Sequence, residues 1–186
     1  MCGTARHPDA HERPHGEHRA GICSAKHLAE HLAEFISPRT CIVCVGNELC
    51  GDDGAGPAVA RGLAGKVPWE VLDTQSCPES YLMKIVQLRP QTVILIDALH
   101  LATEAGTVDL VEAADIAGQG PSTHGPAPLA FLDLLNMLHP CRRVVLGIQP
   151  TRCEVGDPMS GPVLQAVEMV TRAFLSLAED QERHSK

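Results

Sequence analysis

The stretch Cys41-Ile-Val-Cys-Val-Gly-Asn-Glu-Leu-Cys-Gly-Asp-Asp-Gly-Ala-Gly56 decides the fold. Its first five residues are apolar without alternation, the pattern of a strand covered on both faces. Glycines and two aspartates break the run, and a helix is expected from about Gly54 to Leu63. A doubly covered strand that feeds a helix is the first half of a parallel βαβ unit.

Working outward, the alternation continues. Trp69–Leu72 reads as a short second strand, and Ser76-Cys-Pro-Glu79 has the spacing of a capping box that opens a helix to about Leu88. Thr92-Val-Ile-Leu-Ile96 is apolar on both faces and ends at Asp97; Thr107–Val111 is a weaker strand. A Gly- and Pro-rich loop runs through residue 128, and Leu129, Leu132, Leu135 and Leu138 then suggest one helical face. Arg143-Val-Val-Leu-Gly-Ile148 is another apolar strand. A last helix has Pro162 near its start, with Val163, Ala166, Val167, Val170 and Phe174 inward. The expected architecture is a three-layer α/β/α domain with a mostly parallel sheet of about five strands.

The first forty residues differ in character. They hold six of the ten histidines (His7, His11, His15, His18, His27 and His31) and balance five basic against five acidic side chains. The formal charge of −8 therefore belongs to the remainder. Residues 1–38 are read as a flexible His-rich arm with one short helix, capped by Ser24 and carrying Leu28, Leu32, Phe35 and Ile36 on one face. Residues 39–186 form the domain. Such an arm is foremost a solvated polar tail, with capture of divalent metal as the sharper alternative.

Composition excludes several classes. An acidic chain of 186 residues does not grip nucleic acid through its phosphates, and no apolar run is long enough to cross a membrane. No secretory signal opens the chain. The eight scattered cysteines suit reduced thiols in the cytoplasm better than a disulfide framework. Cys41 and Cys44 form a C-x-x-C inside the first strand, where a redox or zinc role is disfavoured.

Three polar features sit where strands end, which is where ligands bind in such sheets. They are the Gly/Asp loop after the first strand, Asp97, and Pro121-Ser-Thr-His124. The Gly-rich loop is not a P-loop, because no Lys follows the glycines. At about 5 Å each aspartate would repel a phosphate charge by roughly 0.8 kcal/mol in water, and several-fold more in a protein crevice. One Asp at a helix start is an ordinary cap. Two, with Asp97 on a neighbouring strand end and an imidazole, supply an O,O,N donor set for a first-row divalent ion such as nickel or zinc. An aspartic dyad sharing a proton is the alternative use of two carboxylates, although no D-[TS]-G motif is present. His100 is a rival imidazole to His124.

At this point the chain resembles the nickel–iron hydrogenase maturation endopeptidases. The resemblance rests on Val45-Gly-Asn-Glu-Leu-Cys-Gly-Asp-Asp-Gly-Ala-Gly-Pro57, on Leu88-Arg-Pro90 with Ile94-Leu-Ile-Asp-Ala98, and on Thr123-His124. It covers about residues 41–178, and Gly147-Ile-Gln-Pro150 is similar to the branch serving formate hydrogenlyase-type complexes. The resemblance implies removal of a short C-terminal extension from a hydrogenase large-subunit precursor after nickel insertion. The precursor's nickel would be contacted by Asp53, Asp97 and His124, the same three residues expected to carry catalysis. Gly51, Asp52 and Gly54 would shape the loop presenting Asp53, with Asn47 holding the turn. No permanently bound cofactor and a monomeric enzyme are expected. Two features depart from the pattern: Gly-Pro-Ala-Pro after His124 lengthens that loop, and the His-rich arm has no counterpart. Outside the protease class, the rival reading is a nickel-binding chaperone or delivery protein; a nucleotide-binding α/β protein is the other.

Overall fold

The structure, a computed structural model, describes residue 22 and residues 24–113 and 127–184. Its strands are β1 (Thr40–Cys44), β2 (Glu70–Asp73), β3 (Thr92–Ala98), β4 (Val108–Glu112) and β5 (Arg142–Ile148). The helices among the described residues are α1 (Ala25–Ala33), α2 (Ala55–Leu63), α3 (Leu82–Leu88), α4 (Ala127–Leu138) and α5 (Gly161–His184), with 3₁₀ turns at Gly51–Gly54 and Pro78–Tyr81. The five strands form one sheet in the order β2-β1-β3-β5-β4, parallel except for β4, which runs antiparallel to β5 at the edge. This is the expected three-layer α/β/α architecture.

Alternate residues of each central strand serve opposite cores, which is why those strands are apolar throughout. Ile42, Cys44, Ile94, Ile96, Val144 and Leu146 face the layer built by α1, α2 and α5. Cys41, Val43, Val93, Leu95 and Val145 face Leu82 and Ile85 of α3 and Phe131, Leu132 and Leu135 of α4. Cys41 and Cys44 thus point to opposite sides of the sheet and cannot share an ion. Burial pushes the Cys41 thiol up to about 12 and raises that of Cys44 as well.

Helix α1, read from sequence with the arm, is part of this core. Leu28 and Leu32 are fully buried, and Ser24 Oγ accepts the His27 N–H at 3.2 Å as the N-cap. Ahead of it, Ile22 is buried and donates its N–H to the Val108 carbonyl. Residues 1–21 lie outside the described residues.

Several local expectations are corrected. Ser76 does not cap a helix: Gln75 turns the chain at φ 50°, Cys77 takes the cap position without a side-chain bond, and a 3₁₀ turn precedes α3. Strand β3 runs on through Asp97, which pairs with Gly147. In α4 the leucine stripe fails at its end, where Leu138 is 51% exposed and Phe131 is buried instead. The cause is helical geometry. Each step of three residues falls about 60° short of a full turn, so three steps rotate the side chain to the opposite face.

This yields a contrast measurable by urea denaturation. Leu135→Ala should cost about 2–5 kcal/mol, whereas Leu138→Ala should cost less than about 1 kcal/mol. Equal losses would contradict the assigned helix face.

Candidate active site

β1 lies between β2 and β3, so the chain leaves it first toward one side and then returns to the other. In open α/β sheets such a reversal marks the crevice where ligands bind, here beyond the carboxyl ends of β1 and β3. The two ends are locked together, with the Val45 N–H donating to the Ile96 carbonyl at 2.9 Å. Two glycines let the loop and α2 approach this closely. A Cβ on Gly56 would lie 2.1 Å from the Val45 oxygen, and one on Gly46, at φ 140°, would lie 1.9 Å from the Asp53 carbonyl oxygen.

Asp53 reaches the crevice from the 3₁₀ turn that follows β1, and Asp97 from the end of β3. The Asp53 Oδ2 accepts the Asn47 N–H at 2.8 Å, while Asn47 Oδ1 accepts the Leu49 N–H at 3.0 Å, so the turn holds its own carboxylate. Asp97 is 7% exposed. Burial and then the negative charge of Asp53 push its carboxyl up to about 7, against an opposing bond from the Ala98 N–H. A carboxyl that exchanges its proton near neutrality, beside a second carboxylate, is equipped for general acid–base chemistry.

The neighbouring Asp52 is spent on structure. It is fully buried, and its carboxylate accepts N–H bonds from Ser160 at 2.6 Å, Thr151 at 2.8 Å and Arg152 at 3.3 Å, plus the Ser160 hydroxyl at 2.9 Å. Burial alone would raise its proton affinity, but these donors together hold it below the usual carboxylate range. Gln149 braces the same end of the sheet. Its Oε1 accepts the Leu101 N–H at 2.6 Å and its Nε2 donates to the Pro150 carbonyl.

Of the three site residues expected from sequence, the structure brings Asp53 and Asp97 into electrostatic contact, and His124 lies outside the described residues. Among the described residues no group of three His, Cys, Asp or Glu side chains is placed to hold a metal. His100 is exposed beyond the end of β3. Sequence reading missed Cys153, an exposed residue whose thiol is pushed up to about 11 by partial desolvation and by the charges of Asp53, Asp52 and Asp97. It is 100 residues from Asp53, and nothing in its local sequence signals the encounter.

The profile of the hydrogenase maturation protease family (HycI) matches residues 58–177, which include Asp97 and His124 and begin just past Asp53. Over 132 residues the chain is 36% identical to the hydrogenase 3 maturation protease of Escherichia coli strain K12, covering 69% of this chain and 84% of that protein. The solution structure of the endopeptidase HycI from Escherichia coli is 33% identical, with a TM-score of 0.66 over 74% of this chain and 90% of that one. A crystal structure of the hydrogenase maturation protease HycI from Thermococcus kodakarensis shares the fold at a TM-score of 0.73 and 24% identity, over 82% of this chain and 98% of that one. The protein is therefore a hydrolase of the peptidase class. It belongs to the hydrogenase maturation protease family.

The two buried aspartates should respond to pH with opposite sign. Asp97, raised from 3.8 to about 7, adds stability while it is neutral and loses it as pH climbs through that window, by roughly 4 kcal/mol at most. Asp97→Asn should therefore melt above wild type at pH 8 and converge with it near pH 4. Asp52 stabilises above its unfolded value and loses that contribution as pH falls through its lowered native value. Asp52→Asn should cost about 2–4 kcal/mol at pH 7, because an amide nitrogen then faces N–H donors. Thermal melts of the two variants from pH 3 to pH 8 read both signs.

Proposed function

We propose that this protein removes a short C-terminal extension from the large-subunit precursor of a nickel–iron hydrogenase after nickel insertion. In this reading the nickel belongs to the substrate, and Asp53, Asp97 and His124 contact it. The observation that carries the reading is the pairing of Asp53 with Asp97, whose carboxyl is raised to about 7. Two carboxyl groups that repel each other when both ionised form a receptor for a cation. A substrate-borne dication relieves the repulsion and favours ionised Asp97, so arrival of the metal and release of a proton are coupled. The metal then sets the scissile peptide at the crevice, and a carboxylate takes the proton from the attacking water. An imidazole from His124 would complete an O,O,N set suited to nickel. The names of the relatives and the Gly147-Ile-Gln-Pro150 stretch support a substrate of the hydrogenase 3 type.

Incubation with nickel-loaded precursor, read by mass spectrometry, tests this directly. The wild-type chain should release one defined C-terminal peptide. Asp53→Asn and Asp97→Asn should each lower kcat/KM by about 10³-fold while far-ultraviolet circular dichroism stays unchanged. Full cleavage by both variants overturns the residue assignment, and an intact precursor with wild type overturns the activity. Precursor lacking nickel should stay uncut; its efficient cleavage would remove the metal as the recognition element.

A further inference from the structure

Helix α1 contains a tandem repeat, His27-Leu-Ala-Glu30 followed by His31-Leu-Ala-Glu34. Four residues make about one helical turn, so like side chains stack along one edge. Leu28 and Leu32 are fully buried, and α1 packs on α5, which fixes the rotation of α1 about its axis. His27 and His31, each one residue before a buried leucine, are thereby held side by side at the rim of the helix. Their ring centroids are 4.4 Å apart, with planes inclined at 59°. His27 is half-buried and His31 exposed, and neither ring is hydrogen-bonded or ion-paired among the described residues.

We propose that His27 and His31 chelate a late first-row divalent cation of the nickel, copper or zinc class. Two histidines at i and i+4 on one helical face are a recurrent chelating arrangement. Imidazoles bound at about 2.1 Å at right angles around one ion, as in octahedral or square coordination, have ring centroids roughly 4.5 Å apart, close to the separation already present. The helix is anchored before any ion arrives, so little ordering opposes binding. Glu30, three positions after His27, is paired with Lys26 at 3.9 Å, so the two imidazoles are the site's donors. Water fills the remaining coordination positions. The site lies on the helical layer, is distinct from Asp53 and Asp97, and does not rest on the proteolytic reading.

Calorimetric titration of the full-length chain with nickel(II) tests the site. His7, His11, His15 and His18 are first changed to glutamine, which removes competing imidazoles near the amino terminus. This parent should bind an ion that adding His27→Gln and His31→Gln weakens at least ~10-fold, equivalent to about 1.4 kcal/mol. Glutamine retains helix propensity, so circular dichroism should match between the two chains. Substoichiometric nickel(II) should also broaden the ring-proton resonances of His27 and His31 before those of the other histidines. Equal affinity with and without the pair, or broadening confined to other histidines, overturns the proposal.

Discussion

The carboxyl-terminal end of the sheet depends on one buried carboxylate. Asp52 carries no solvent exposure, and it gathers three backbone N–H groups and a hydroxyl from residues 151, 152 and 160. Those donors belong to the segment between β5 and α5, whereas Asp52 belongs to the turn after β1. The bond set therefore ties the two segments together and anchors the turn from which the next residue, Asp53, projects. An ion in that position is tolerated because every donor is aimed at it; removing the carboxylate would leave buried N–H groups without partners.

Environment separates aspartates that are chemically identical. Asp52 meets four donors and is held ionised, while Asp97 meets one backbone N–H, a dry surround and the charge of Asp53. The result is a structural anion and a proton-exchanging acid within one short region of the fold. This division also underlies the proposed use of the loop, because a carboxylate presented there attracts a cation and repels a phosphate. Its glycines serve close packing of α2 on β1 and β3, and the carboxylate it presents makes the crevice anionic.

Much of the architecture was legible because central parallel strands must be apolar on both faces, as Cys41–Val45, Val93–Ile96 and Val144–Ile148 are. The misreadings have local causes. Four leucines in steps of three mimic a stripe that a helix of 3.6 residues per turn cannot maintain, so Leu138 ends in solvent. The direction of β4 was not legible, since an edge strand with Val108 and Leu110 inward reads alike in either orientation. Helix α1 was grouped with the arm because its neighbours in sequence are polar. Its partners lie far along the chain, in α5.

By itself, then, the sequence determined the class of fold, the order of its elements and the candidate carboxylates, because apolar periodicity and glycine placement are local properties. Tertiary structure alone decided which aspartate is a strut and which faces the crevice. It also decided that Asp97 titrates near neutrality, that Cys153 neighbours the pair, and that α1 belongs to the core. Each of these outcomes depends on donors, charges or apolar surface brought by segments remote in the chain. Burial and field at a point in space are sums over such neighbours, and no stretch of sequence carries that sum.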